Sequence, residues 1–219
     1  MCAPYDLGAT KTRVTRWVMR GETMKNINMK LLLGGALLLT VAGAAYAKSK
    51  TAPVQVVPNV DLKQYAGKWY EIARFPNSFQ KGCSGDVSAN YTLRKDGKVD
   101  VENSCGTQNG KTKTAKGEAR RISSKSKEGK LEVRFAPKIL SFLPAVWGDY
   151  YILDLDKSYT TSIVGSSGRS YLWILSRTPQ LDEETYQSLV EKARAQGFDV
   201  NKLVRTSQTS ATKANDQKQ

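Results

Sequence analysis

The chain has 219 residues, 40% of them hydrophobic, and a formal charge of +14, which bounds one or two domains with a sizeable core. It contains no histidine, which excludes Ser-His-Asp and Cys-His nucleophile activation and His-ligated zinc or haem. No phosphate-binding loop or GxGxxG fingerprint occurs either.

Residues 1–23 precede a segment built like an export signal and are read as an extension from a start called too far upstream. Over residues 24–47, Lys25 and Lys30 lead an apolar run from Leu31 to Ala42, and Ala45-Tyr46-Ala47 closes it with small outer residues. That order predicts a signal peptide cleaved after Ala47. The run falls short of the ~20 residues that span a bilayer. Residues 48–59 read as a linker. After Ala47 the chain keeps 28 basic against 18 acidic residues, net +10. The basic residues are scattered among turns without interleaved aromatics, so the pattern and the predicted export argue against a nucleic-acid partner. A solvated surface and a peripheral contact with anionic lipid remain open.

The domain spans residues 60–206 and alternates with period two. Strands are predicted at Trp69–Arg74, Asp86–Leu93, Val99 onward, Lys113–Ile122, Leu131–Phe135, Gly148–Leu155, Ser162–Gly165 and Tyr171–Ser176, separated by Gly-, Asp- and Asn-bearing turns. Lys95-Asp96-Gly97-Lys98 reads as a two-residue hairpin turn. From Asp182 to Gln196 the period changes: Tyr186, Leu189, Val190 and Ala193 recur at three and four, after an acidic start and before Gly197. Residues 207–219 are polar and read as a disordered tail. The chain is therefore all-β: an eight-stranded up-and-down antiparallel barrel with one C-terminal α-helix packed outside.

Cys83 and Cys105 are the two cysteines left in the exported chain, an even count that predicts a disulfide. Register through Asp96-Gly97 puts Cys105 opposite Ser88, so the bridge requires Lys81–Gly85 to fold back. Free, one of the pair would be the nucleophile of a thiol-dependent isomerase or reductase.

Gly67-Lys68-Trp69-Tyr70-Glu71-Ile72-Ala73-Arg74, Ala89-Asn90-Tyr91-Thr92-Leu93, Leu131-Glu132-Val133-Arg134-Phe135 and Tyr171-Leu172-Trp173-Ile174-Leu175-Ser176-Arg177-Thr178-Pro179 occur in that order. Together they resemble the lipocalins, and among those the bacterial and apolipoprotein D-like members. Leu155-Asp156-Lys157 departs from the family's usual Thr-Asp-Tyr turn. The resemblance implies that Trp69 and Arg177 form the structural pair closing the barrel, and that the cup binds fatty acids or lysophospholipids without a cofactor or catalysis. It also implies a place in the cell envelope. No Cys follows the signal's small residues, so a soluble periplasmic or secreted form is expected, with outer-membrane association as the alternative.

With Trp69 and Arg177 inward, the family pattern turns Ala89, Tyr91, Val101, Leu131, Val133, Phe135, Tyr150, Ile152, Tyr171, Trp173 and Leu175 to the interior, opposite the small residues Ala115, Gly117 and Ala119. Tyr91 and Tyr150 are candidates to hold a carboxylate or phosphate head, with a rim Lys or Arg beside it. Glu71 shares the parity of Trp69 and is read first as the partner of an arginine such as Arg74 or Arg120. The apolar segment Pro137–Trp147, with Phe142 and Trp147, either folds over the core or forms a mouth that meets ligand or membrane. A barrel filled by its own aromatics remains the alternative, giving an envelope stress or interaction protein that docks through this loop. The sequence leaves the oligomeric state open.

Overall fold

The structure is a computed structural model and describes residues 52–209. The predicted extension, signal peptide and most of the tail lie outside the described residues. Alternating sequences produce eight strands: β1 Gly67–Arg74, β2 Gly85–Leu93, β3 Val99–Gly106, β4 Thr112–Arg121, β5 Lys130–Arg134, β6 Gly148–Leu155, β7 Thr161–Gly165 and β8 Leu172–Ser176. Each pairs antiparallel with its successor. β1 also pairs with β8, which closes the barrel. Closure leaves no long unpaired edge among the described residues, the general solution to the edge problem in antiparallel sheets.

Side-chain alternation splits the apolar residues into two clusters. Inside the barrel pack Trp69, Tyr91, Val101, Leu131, Ile152, Val164 and Leu175. Outside, Ile72, Phe75, Leu153, Ile163, Leu172 and Ile174 form a second cluster with the helix. That helix, α2, runs Glu183–Ala195 after the four-residue helix α1, Leu62–Tyr65. The Asp182 carboxylate caps α2 by accepting from the Thr185 N–H at 2.8 Å. Glu183 and Glu184 fill its first turn and Lys192 and Arg194 its last, each matched to the helix dipole. Tyr186, Leu189, Val190 and Ala193 bury the face that docks, at about 1.5–3 kcal/mol for each large side chain. Gly197 then takes a left-handed conformation, φ +82°, that ends the helix.

Three local readings of the sequence are corrected. The β2–β3 connection is a three-residue loop: the Arg94 N–H reaches the Lys98 carbonyl at 2.8 Å, and Gly97 sits at φ +79°. Ser88 therefore faces Ser104, not Cys105. A bulge between Gly85 and Ser88 and a turn donating the Cys83 N–H to the Gln80 carbonyl then bring Cys83 against Cys105. The two are bridged with Cα atoms 5.6 Å apart, within the span a disulfide requires.

Residues 52–59 are not a free linker. Val54 is buried in the outer cluster, and the Val57 N–H donates to the Ile152 carbonyl at 2.9 Å. At the other end, order continues past residue 206. The short strand β9, Val204–Arg205, pairs with Ala73 and Arg74. The buried Gln208 then donates to the Glu71 and Val87 carbonyls at 2.9 Å each. Thr209 holds the Asp86 carboxylate. β1 and β2 separate above Tyr70, and this segment fills the seam between them.

Candidate ligand-binding cup

The two ends of the barrel differ. At the end where β1 begins, α1 lies across the opening and Trp69 is wholly buried beneath it, its Nε1 donating to the Tyr65 carbonyl at 2.8 Å. The Arg177 guanidinium carbon stands 4.0 Å from the indole centroid. Its N–H groups donate to the carbonyls of Gln64, Tyr65, Ala66, Lys68 and Tyr159 at 2.8–3.1 Å. One side chain thus ties α1, β1 and the turn before β7 over a Trp plug.

Above the plug, three tyrosines form a polar knot. The Tyr150 hydroxyl is 2.9 Å from that of Tyr65 and 2.8 Å from that of Tyr91. Ser162 Oγ lies 3.4 Å from the Tyr65 hydroxyl. Burial pushes all three phenols above their ordinary pKa, so they are neutral donors and acceptors to one another. Beneath them, Leu62, Val99, Ala119 and Leu131 help line an apolar cavity of only about 20 Å³, room for about one water-sized sphere.

Toward the other end the interior opens. Ala89, Val133 and Trp173 are half-buried, while Phe135 and Tyr171 are 45% and 39% exposed. Gly117 lets the Phe135 ring pack directly against β4: a Cβ there would stand 2.8 Å from the ring. Over this mouth, the 75–84 loop brings Phe79 against Tyr171 and Trp173, at centroid distances of 5.7 and 6.2 Å. Tyr171 and Trp173 stack at 5.9 Å. The disulfide pins the base of this loop to β3.

The residues read from the sequence therefore divide by depth. Tyr91, Val101 and Ile152 are buried as the floor, and the Tyr91 and Tyr150 hydroxyls already satisfy each other. Ala89, Val133, Phe135, Tyr171 and Trp173 line the open part. Phe142 is 74% exposed on the β5–β6 loop. Trp147 is not in the cup: its ring lies 3.9 Å from the Arg120 guanidinium and 5.3 Å from that of Arg134. Both arginines are on the outer face, because Ala119 and Val133 between them point in. Stacking on a cation competes successfully with burial in an apolar mouth.

Strict alternation turns Glu71 inward but leaves Arg74, one of its expected partners, on the outer face; the structure brings both inside. β1 pairs Glu71 with Leu175 but Ala73 with Ile174, so a bulge absorbs one residue. Ile72 and Ala73 both turn outward, and Arg74 comes to lie opposite the inward Trp173. Glu71 and Arg74, three apart, thereby face the same interior, which an unbulged strand forbids. Arg74 Nε is 3.2 Å from Glu71 Oε1, close enough for ion pairing but without the alignment of a hydrogen bond. Glu71 is buried and accepts from Gln80 Nε2 at 2.7 Å and Thr206 Oγ1 at 2.5 Å. Burial raises its pKa, with Thr206, Gln80 and Arg74 acting in the opposite sense. The Gly-Pro-free run Glu71–Arg74 carries no sequence mark of the bulge.

A closed eight-stranded barrel, plugged at one end by a Trp–Arg pair and open at the other, with one helix on its flank, defines a lipocalin. The lipocalin-like domain model matches residues 60–208. Temperature-induced lipocalin-1 of Arabidopsis thaliana is 45% identical over 157 residues, covering 71% of this chain and 83% of the relative. The outer membrane lipoprotein Blc of Escherichia coli K12 is 37% identical, covering 76% and 93%. Mouse apolipoprotein D is 33% identical, covering 85% and 97%. Among solved structures, the cockroach allergen Per a 4 superposes with a TM-score of 0.55 at 19% identity, covering 73% of this chain and 95% of its own. The chain belongs to the lipocalin family, whose members bind small hydrophobic ligands and are generally binding or transport proteins rather than enzymes.

Proposed function

We propose that the protein binds and carries singly acylated lipids, fatty acids or lysophospholipids, in the cell envelope. The observation that carries this reading is the gradient inside the barrel: a filled floor beneath a mouth walled by Ala89, Val133, Phe135, Tyr171 and Trp173. An apolar cleft with few polar groups suits a chain with one polar end. The similarity to a lipoprotein named for the outer membrane supports the envelope. The test is a native mass spectrum of the mature protein purified from the periplasm, followed by titration with fatty acid and lysophospholipid. An adduct that Trp173→Ala weakens supports the carrier; a bare protein that takes up neither lipid sinks it.

A second reading has its own observation. Ile139 and Phe142 are 80% and 74% exposed on the β5–β6 loop beside Lys138. An apolar tip with a basic flank suits peripheral contact with an anionic membrane at the mouth, where a lipid would enter or leave. It also suits docking to a protein if the cup stays empty. Flotation with anionic vesicles, lost in Ile139→Ser/Phe142→Ser, separates the membrane from the protein partner.

A further inference from the structure

We propose that Arg74 receives the charged end of the ligand, and that Glu71 is the resident counter-ion which the ligand's carboxylate or phosphate replaces at that guanidinium. The proposal rests on the carrier reading and names the group within the cup that selects the ligand's head.

Arg74 is placed for this by the β1 bulge, which turns it into the barrel opposite Trp173. Its side chain is 18% exposed, so it is neither sealed in the wall nor free in solvent. A guanidinium has five N–H groups in a planar fork that matches a carboxylate or phosphate with two parallel bonds. Here the fork is barely used. Its Nε meets Glu71 without hydrogen-bond alignment, and among the described residues its Nη groups have no hydrogen-bond acceptor. Arginine buried for structure alone looks different in the same molecule: Arg177 donates to five carbonyls, and Arg121 to two.

Glu71, by contrast, does not depend on Arg74. Gln80 from the mouth loop and Thr206 from the C-terminal segment each hold one of its oxygens. An anion can therefore take the guanidinium while Glu71 keeps two hydrogen bonds. The Phe79–Tyr171–Trp173 slab stands over the same end of the barrel and offers apolar area to the first methylenes of the chain. Gln80 connects the two, since its Oε1 is 3.5 Å from Trp173 Nε1 while its amide holds Glu71.

Replacement has an electrostatic consequence. A second negative charge beside Glu71 disfavours its ionisation, and burial already raises its pKa. Among the described residues, the charged and titratable groups facing Glu71 are Arg74 on β1 and Tyr91 on β2, while Leu175 on β8, Gln80 of the mouth loop and Thr206 of the C-terminal segment meet it as neutral groups. Glu71 therefore takes up a proton when an anion binds, and anion affinity rises as pH falls toward its pKa.

The experiment titrates the full disulfide-bridged chain with three oleoyl probes: oleic acid, oleoyl lysophosphatidylglycerol and the neutral oleyl alcohol. Tryptophan fluorescence and calorimetry report binding to wild type, Arg74→Gln, Arg74→Lys and Glu71→Gln. Arg74→Gln is expected to weaken both anions by about tenfold or more while the alcohol changes far less, and Arg74→Lys to recover part of the loss. Glu71→Gln should tighten both anions and abolish the rise in lysophospholipid affinity as pH falls, which the phosphate diester itself does not produce because it stays ionised above the ordinary carboxylate range. Loss of only one anion in Arg74→Gln assigns the site to carboxylate or to phosphate. Equal loss of anions and alcohol, or no loss, overturns the proposal and leaves the carrier standing. Wild type that binds none of the three probes overturns both.

Discussion

Replacing Arg177 with Met tests whether the plugged end is held by one cation. Met keeps an apolar stem over Trp69 and removes the charge. Stacking at 4.0 Å in a half-buried position is lost, at about 1–2 kcal/mol. Of the five carbonyls, that of Tyr65 keeps Trp69 Nε1 as a donor, and those of Gln64 and Lys68 reach water. The carbonyls of Ala66 and Tyr159 are partly buried, and each left without a donor costs about 1 kcal/mol. The sum is about 3–4 kcal/mol, a large share of the roughly 5–15 kcal/mol that holds a domain together. Urea unfolding followed by circular dichroism measures it, and Arg177→Lys should restore about a third, one cation without the fork. Affinity for lipid in the folded fraction should not change, because the cup opens at the other end. A loss below about 0.5 kcal/mol refutes the accounting. A stable variant that no longer binds lipid refutes the assignment of the two ends.

Reducing the Cys83–Cys105 bridge, or replacing both residues with Ser, frees a loop of sequence separation 22. It should cost about 3 kcal/mol in urea unfolding, and should shift tryptophan fluorescence as Phe79 leaves Trp173. Gly117→Ala places a Cβ 2.5 Å from the Arg134 carbonyl. The β4–β5 pairing must shift, at about 1–3 kcal/mol, visible as a lower melting temperature. Asp156 is opposed by burial, but the N–H groups of Thr161, Thr160 and Ser158 and the Thr160 hydroxyl outweigh it and lower its pKa. That stability is present above the ordinary aspartate value of 3.8 and is lost as pH falls below it. Wild type should thus exceed Asp156→Asn at neutral pH and converge with it in acid, read from urea midpoints across pH.

What the sequence made legible and what it hid follow from the range of each interaction. Alternation is local, so every barrel strand could be placed to within about two residues, and the helical face of α2 was readable from spacing alone. Register is set by a turn's backbone, and Asp96-Gly97 is compatible with two-residue and three-residue loops. Choosing the shorter displaced the β2–β3 pairing by one residue. Hydrophobicity alone places Trp147 in the cup, and it carries no information about the two arginines that β4 and β5 bring together beneath it. Gln208 was invisible for the same reason. A polar residue in a polar tail reads as disordered until two unpaired carbonyls appear across a seam in the sheet.

The β1 bulge ties these failures to function. Parity counted from Trp69 puts Arg74 outside and Ala73 inside, a sensible apolar interior. The fold does the reverse, bringing a buried ion pair into the wall of a cup. Its burial costs desolvation that its single contact repays poorly. The same bulge turns both Ile72 and Ala73 into the core beneath α2, where each is buried. Packing under the helix therefore stabilises the bulge, and the bulge in turn re-aims Arg74. A barrel needing only a filled interior has no use for that exchange, whereas one that must hold a charged end does. Glu71→Gln should accordingly leave the fold intact while changing which lipids bind.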